Sequence, residues 1–305
     1  MMSVNLLQYS ADELLGLARI SGTPIVIVEG FDDVPIYERI SDSTSVNCLI
    51  FASENILCEA EGCDGVIKNI SVIRDTCDGL PVEKYVLGII DRDARFYRNT
   101  IPADPALMTL DFYSIESHFV SRQSVRYLIP RVTRATNRLL QEQLCDDIYS
   151  QLRERLMFLY LVSLEALKKS CVQGYQAEFG YKDTIKSIVH RKLHLQLEVK
   201  KIELLEFGGS LGLTGSWQDI LRICKGKWIL EMFTDELFAK IIDLPNLCKL
   251  AEVNQCQFCA KGEVSKCLYK NPSFFSADIM KNQLFHNIEC DELEYVRARI
   301  NRFIN

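Results

Sequence analysis

Residues 25–28 constrain the fold most strongly, because four consecutive β-branched side chains, IVIV, are followed at once by the carboxylate of Glu29. Such a run is typical of a strand that is buried on both faces, as in a parallel sheet. A carboxylate at the end of a buried strand is costly unless a cation or a hydrogen-bond donor compensates its charge. Because Gly30 and Asp33 follow directly, the sequence predicts an acidic site where this strand ends.

Strand-like and helix-like segments alternate over roughly the first 125 residues. The pattern predicts strands at 23–30, 46–53, 84–91 and from 108 onward. It predicts helices at 11–20, 32–40, 63–77 and, after the last strand, from Ser114. Alternation of this kind indicates parallel βαβ units. We therefore predict an α/β domain at residues 1–125 with a Rossmann-like, mainly parallel sheet.

Beyond residue 125 the strand signal fades and helical periodicity dominates. The predicted helices include a long one at 139–170 and shorter ones at 217–226, 234–243 and 291–303. Apolar residues recur in these segments at the spacing of amphipathic or buried helices. We therefore predict a mostly helical C-terminal region at residues 126–305.

Composition limits the class of protein. The chain has 305 residues, 48% of them hydrophobic, a net charge of −6, and no N-terminal signal-peptide pattern. Its most apolar helical stretch, 155–169, is too short to span a membrane and contains Glu165. Twelve cysteines without a secretion signal indicate a reducing compartment, so we predict a cytoplasmic protein without a membrane partner. The negative charge disfavours a general nucleic-acid coat protein but permits a metal-dependent nuclease.

A second pair of acids follows another predicted strand. Asp91 and Asp93 end the stretch GIIDRD, just as Glu29 and Asp33 follow residues 25–28. If the two strands are neighbours in a parallel sheet, all four carboxylates converge at one edge, where such sheets bind ligands. An all-oxygen ligand set suits Mg²⁺ or Mn²⁺, and paired ions of this kind support phosphodiester hydrolysis.

The spacing of these acids resembles that of the TOPRIM domain. Residues Val28–Asp33 match V-E-G-x-x-D, and Asp91 with Asp93 match D-x-D, over roughly the first third of the chain. The block DFYSIESHFV at 111–120 resembles the Y-S-I-E stretch of DUF4435 proteins, which join a TOPRIM-like half to a helical half. That group includes the effector nuclease of the PARIS anti-phage system and is related to the OLD-family nucleases.

The resemblance implies roles for six residues. It places catalysis at Glu29, Asp33 and Lys227, and metal binding at Asp91, Asp93 and Glu116. Glu29 would act as a general acid/base or a metal ligand, with Asp33 shaping the site. For Glu116 the alternative is an acid stabilised by a helix N-terminus. For Lys227 the alternative is an ordinary surface lysine.

The resemblance also implies a function. It predicts a Mg²⁺-dependent endonuclease that is the toxic effector of an anti-phage system, cleaves RNA and tRNA in particular, and acts as a homodimer. The resemblance also implies an ABC-type ATPase partner that would hold it inactive. This chain contains no Walker motif, so any ATP hydrolysis would belong to another chain. The preference for RNA rests on the resemblance alone. Two alternatives stay open: an OLD-type DNA-nicking nuclease, and a catalytically silent TOPRIM-fold binding protein.

A basic stretch follows the predicted acidic site. It contains Arg122, Arg126, Arg131 and Arg134 without an intervening acid. Arginines in this position could bind the phosphate backbone of a nucleic acid. The alternative is a solvated helix face.

A cysteine-rich segment lies near the C-terminus, at 248–267. Its cysteines are Cys248, Cys256, Cys259 and Cys267. The CQFC pair has the spacing of two zinc ligands on one turn, although its seven-residue flanking gaps are not those of a standard zinc ribbon. His286 or Cys290 could compete as a ligand. The alternative to a structural Zn²⁺ site is a group of reduced, partly buried cysteines.

Overall fold

The computed structural model describes residues 8–56, 60–76, 79–272 and 275–304. This described part of the chain forms two compact units, Met1–Ile115 with Asp291–Asn305, and Glu116–Cys290. The predicted division into 1–125 and 126–305 differs in two respects. The first unit ends earlier, and the C-terminal segment belongs to it.

Within the described residues, the first unit contains a four-stranded sheet whose strands are all parallel. The strands are β1 (Ile25–Val28), β2 (Leu49–Ala52), β3 (Val86–Ile90) and β4 (Leu107–Thr109), in the spatial order β2-β1-β3-β4. The central strands β1 and β3 are buried along their whole length. The predicted α/β class with a parallel sheet is therefore confirmed.

Five helices of the described chain belong to this unit. They are α1 (Ala11–Ser21), α2 (Val34–Asp42), α3 (Gly62–Thr76), α4 (Asp93–Tyr97) and α14 (Glu294–Asn301). The α1 helix begins at a capping box, in which the Ser10 backbone N–H donates to Glu13 Oε2 at 2.8 Å. It ends at Gly22, whose φ of 67° lies in the left-handed region that favours glycine. The predicted helix at 63–77 is confirmed as α3 up to Thr76, and Cys77 lies outside the described residues.

The packing of α3 on the sheet depends on Gly88 in β3. A Cβ atom at Gly88 would lie 2.7 Å from Val66 Cγ1 and 2.9 Å from Ile70 Cγ1. Both residues belong to the core that α3 shares with Leu14 and Ile27. The glycine thus lets helix and strand approach closely, as glycines in strand interiors often do.

The C-terminal helix α14 is joined to the α/β unit by hydrogen bonds. Asn301 Oδ1 accepts from the backbone N–H of Ser45 at 3.1 Å and from its hydroxyl at 2.8 Å. Tyr295 Oη accepts from the backbone N–H of Asp111 at 2.8 Å. These contacts explain why residues 291–305 cluster with the first unit rather than with the helical region.

The second unit is helical in its described residues. Its helices are α5 (Arg122–Val132), α6 (Glu142–Leu156), α7 (Leu159–Cys171), α8 (Ile185–His190), α9 (Leu193–Gln196), α10 (Lys201–Ser210), α11 (Trp217–Ile223), α12 (Gly226–Lys249) and α13 (Ala277–Leu284). No helix of the described residues is long and apolar enough to cross a membrane.

Three predicted helix boundaries were wrong. The predicted helix at 139–170 is two helices: α6 buries one stripe, whereas α7 is buried on almost all sides from Leu159 to Leu167. The segment 234–243 lies within α12, which continues through Pro245. The helix expected from Ser114 is a short 3₁₀ turn, Ile115–Phe119, followed by α5. Apolar periodicity detects helical segments but not the point where the burial pattern changes.

Candidate functional site

The carboxyl ends of β1 and β3 lie side by side. The two strands pair in register, with Ile25 opposite Val86 and Ile27 opposite Gly88. The strand order reverses between them, because β2 lies on one side of β1 and β3 on the other. Open parallel sheets bind ligands at such a switch point. The predicted adjacency of the two acid-bearing strands is therefore confirmed.

Glu29 occupies the end of β1 and is mostly buried. Its Oε1 accepts a hydrogen bond of 2.9 Å from the backbone N–H of Asp91, at the end of β3, and its backbone oxygen accepts one of 2.8 Å from Ser53 Oγ. Burial raises the pKa of Glu29 to about 7; the Asp91 hydrogen bond opposes this rise, and the charges of Asp93 and Asp33 add to it. Glu29 can therefore exchange a proton near neutral pH.

Asp33 and Asp93 begin the two helices that follow these strands. Asp33 is the N-cap residue of α2, and its Oδ2 accepts from the backbone N–H of Gly30 at 3.2 Å. Asp93 is the first residue of α4, and its Oδ1 accepts from the backbone N–H of Arg95 at 2.7 Å. Both carboxylates are held by local backbone contacts and both act electrostatically on Glu29. The structure thus brings together Glu29, Asp33, Asp91 and Asp93, which we call the acidic edge.

Arg95 is a cation at the acidic edge that the sequence analysis did not select. Its guanidinium group forms an ion pair with Asp64, and its Nε lies 3.6 Å from Asp93 Oδ2. Hydrogen bonding to Asp64 raises its pKa. Its position two residues after Asp93 could have drawn attention to it, but the pairing with Asp64 depends on the fold.

The charges of the acidic edge also act on the pKa values of two tyrosines, the buried Tyr37 and the partly exposed Tyr295. Tyr37 of α2 is 3% exposed, and burial raises its pKa well above the usual value, with the charges of Asp33 and Asp91 adding to the rise. Burial likewise raises the pKa of Tyr295 on α14, and Asp91 is among the charges that add to it. Tyr37 lies one helical turn after Asp33, so the sequence could have placed it near the site. No local pattern in the sequence connects Tyr295 with the site.

The donor set of the acidic edge fits a hard divalent cation, since it consists of carboxylate oxygens. The rise in the pKa of Glu29 shows that burial and the neighbouring acids disfavour its ionised form, a penalty that a cation would relieve. In the part of the chain that the structure describes, however, these carboxylates are not gathered as tightly as the four cysteines described below.

Glu116 and Lys227 both lie in the second unit. Glu116 belongs to the 3₁₀ turn Ile115–Phe119, and Lys227 is the second residue of α12. Both charges act on Lys225: burial lowers the pKa of Lys225, Lys227 lowers it further, and Glu116 raises it. Lys225 Nζ donates to the Tyr181 carbonyl at 2.7 Å. Glu116 and Lys227 were predicted from the sequence, whereas Lys225 was not.

Two of the predicted nucleic-acid-binding arginines form ion pairs between helices. Arg122 of α5 pairs with Asp146 of α6 and, at 3.3 Å, with Glu142. Arg126 pairs with Glu142 at 2.5 Å. These ion pairs give the two arginines a role in the packing of α5 against α6, which differs from both the predicted phosphate contact and a solvated helix face.

The other two arginines lie at and beyond the end of α5. Arg131 stacks on the Tyr127 ring with 3.4 Å between the guanidinium carbon and the ring centroid. Arg134 is exposed, and its backbone N–H donates to the Leu268 carbonyl at 2.9 Å. Both side chains reach the surface and stay candidates for a phosphate contact.

The four predicted cysteine ligands converge in the second unit. Sγ atoms of Cys248, Cys256, Cys259 and Cys267 all lie within 4.8 Å of one another, and all four residues are buried. Cys290 donates instead to the His118 carbonyl. This group, which we call the cysteine cluster, could bind a metal such as zinc.

Hydrogen bonds favour a thiolate in the cysteine cluster. Burial raises the pKa of Cys256, but the backbone amides of Cys259 and Leu268 donate toward its sulfur, and the net result is a pKa of about 6. Burial raises the pKa of Cys248 to about 11. The Cys256 sulfur is therefore suited to act as a metal ligand, which must be deprotonated.

Neither a scan against protein-family models nor a search of curated proteins found a match. Two residue clusters of this chain bear on its chemistry, the acidic edge and the cysteine cluster. The acidic edge offers oxygen ligands and a carboxyl group that titrates near neutrality. The cysteine cluster offers four sulfur ligands.

Proposed function

We propose that the protein is a Mg²⁺- or Mn²⁺-dependent endonuclease whose active site is the acidic edge. One observation carries the proposal: Glu29, at the end of β1, accepts from the backbone of Asp91 at the end of β3, while Asp33 and Asp93 act on it. A cluster of like charges that includes the mostly buried Glu29 is costly unless a cation compensates it. This cost weighs against the alternative of a catalytically silent binding protein.

In the proposed phosphodiester hydrolysis, each residue of the acidic edge has a separate role. Mg²⁺, when bound, supplies Lewis-acid activation of water and stabilisation of the leaving oxygen. Asp91 and Asp93 would hold it. Glu29 Oε1 is oriented by the Asp91 N–H, and the carboxyl group, with its pKa of about 7, would accept or return a proton. Asp33 keeps the loop after β1 in place through its bond to Gly30.

We also propose that the first unit is a TOPRIM-like domain. The V-E-G-x-x-D and D-x-D residues follow adjacent parallel strands, as the resemblance requires. Glu116 and Lys227 are proposed as a metal-binding acid and a catalytic cation on the resemblance alone. A zinc ion in the cysteine cluster would serve structure rather than this chemistry, because four protein ligands leave no open position.

The proposed substrate is RNA, tRNA in particular, and the proposed biological role is that of a toxic anti-phage effector. Both rest on the resemblance of residues 111–120 to DUF4435 proteins. On the same basis, an ABC-type ATPase would sequester the chain and a homodimer would be the active form. DNA nicking of the OLD type stays an alternative that experiment must separate from RNA cleavage.

The test is expression in cells of the wild type, Glu29→Gln and a matched control, with and without a candidate ATPase and trigger. Glu38→Gln is the control, because Glu38 is exposed on α2 and the change removes one carboxylate in the same way. Total RNA and plasmid integrity are then compared. Discrete RNA fragments in the wild type and the control, absent with Glu29→Gln, are the expected result.

The other outcomes separate the alternatives. Nicked plasmid with intact RNA would show that the protein is a DNA nuclease and not a ribonuclease. Growth arrest that persists with Glu29→Gln while nucleic acids stay intact would favour the binding protein. Equal RNA fragmentation by the wild type and Glu29→Gln would show that the acidic edge is not the active site.

A further inference from the structure

We propose that Cys248, Cys256, Cys259 and Cys267 bind one structural zinc ion that fixes the fold of residues 249–272. The Sγ atoms of Cys256 and Cys267 are 4.0 Å apart, and all four lie within 4.8 Å of one another. Tetrahedral zinc with Zn–S bonds of about 2.3 Å places its sulfur ligands about 3.8 Å apart. The sulfur–sulfur distances therefore need to shorten by at most about 1 Å to complete such a site.

The ligand set selects the metal. Four thiolates are soft ligands, which suit zinc and disfavour Mg²⁺, Ca²⁺ and Mn²⁺. A cluster of several irons places its cysteine sulfurs around a larger core than this group encloses. The four cysteines are unbonded to one another, so their sulfurs are available as ligands. With four protein ligands, the ion has no open position for a substrate.

The local backbone is already arranged as a ligand turn. Cys248 lies in the last turn of α12, and its sulfur accepts from the backbone N–H of Cys256 at 3.3 Å. A 3₁₀ turn begins at Cys259 and ends at Gly262, whose φ of 78° closes the turn. Cys267 directly follows a second 3₁₀ turn, Val264–Lys266. The end of α12 and the two 3₁₀ turns thus place the four cysteine sulfurs close together.

Residues 250–272 need such an ion because they bury almost nothing else. Their buried residues are Cys256, Cys259, Cys267 and Tyr269, three of which are the proposed ligands. Leu250 is 63% exposed. A segment of short turns that buries so little apolar surface is of the kind that a structural metal stabilises.

The segment in turn supports the connection between α5 and α6. Tyr269 Oη donates to the Leu139 carbonyl at 2.9 Å and to the Asn254 carbonyl at 3.2 Å. The Leu268 carbonyl accepts from the backbone N–H of Arg134. Loss of the ion would therefore loosen the loop that contains Arg134 as well as the segment itself.

The experiment is elemental analysis of the purified full chain together with Cys256→Ala, Cys259→Ala and a control. Cys224→Ala is the control, since Cys224 is equally buried in the same unit but lies outside the cluster. The expected result is about one zinc per chain in the wild type and control and strong loss in both ligand variants. Cys259→His should retain zinc, because imidazole can replace a thiolate ligand.

A second measurement on the wild type does not depend on whether the variants fold. A chelator combined with a thiol-reactive reagent should release zinc and make residues 249–272 the first site of limited proteolysis, while the rest of the chain resists. Absence of metal from the wild type, zinc retained by both alanine variants, or iron in place of zinc would each overturn the proposal. These results are independent of the nuclease activity.

Discussion

Glu29 is the residue of the acidic edge whose ionisation should make stability depend on pH near neutrality. Its folded pKa is about 7, against an ordinary value of 4.5, so the folded chain binds this proton more tightly than the unfolded chain. Its contribution is therefore fully present below the unfolded pKa and is lost as the pH rises through about 7. Over that window, the shift corresponds to about 3 kcal/mol of unfolding free energy.

We predict that Glu29→Gln removes this pH dependence. In EDTA, the free energy of unfolding of the wild type should fall by up to about 3 kcal/mol more than that of Glu29→Gln between pH 5 and pH 8. Urea denaturation at the two pH values measures the difference, with Glu38→Gln as the matched control. Equal pH dependence in the wild type and Glu29→Gln would show that the buried carboxyl is not the cause.

The acids of the site were predictable residue by residue, and their neighbours were not. Glu29 and Asp91 directly follow apolar runs, so their position at strand ends selects them, and the V-E-G-x-x-D and D-x-D patterns add Asp33 and Asp93. The pairing of Arg95 with Asp64 joins residues 31 positions apart and has no local pattern. The same holds for Tyr295, which reaches the acidic edge from the C-terminal helix.

At the level of elements, strands β1 and β3 were predictable because burial on both faces leaves continuous apolar runs. The break between α6 and α7 was not, because helical periodicity continues across it while the burial pattern changes. The three-residue strand β4 was found only as the start of a longer mixed segment. The boundaries of helices and strands depend on tertiary packing, which cannot be read from the local pattern of apolar residues.

The contact of α3 with β3 provides a prediction at this scale. Gly88→Ala should destabilise the fold by about 1–3 kcal/mol, because the new methyl group would overlap Val66 and Ile70 in a filled core. Gly16→Ala is the control: no atom lies within 4 Å of the added Cβ inside α1, so this change should be neutral or stabilising by up to about 1 kcal/mol. Thermal denaturation compares the two, and equal melting temperatures for both variants would contradict the packing argument.

For the whole molecule, the chain order of elements was an incomplete guide to domain organisation. Residues 291–305 follow the helical region in sequence but pack with the α/β unit, through bonds such as that between Asn301 and Ser45. A contact across 256 positions leaves no trace in periodicity or composition. The α/β class itself was predictable, because alternating strands and helices admit few other arrangements.

The central claim is that the acidic edge binds divalent cations, and Mn²⁺ binding followed by electron paramagnetic resonance tests it most directly. Mn²⁺ suits the carboxylates and is disfavoured by the thiolates of the cysteine cluster. The assay needs no trigger, ATPase or nucleic acid. The wild type and Glu38→Gln should bind Mn²⁺ saturably, and Asp91→Asn should weaken binding by about tenfold or more. A wild type that binds no Mn²⁺, or an Asp91→Asn variant that binds as tightly, would contradict the claim.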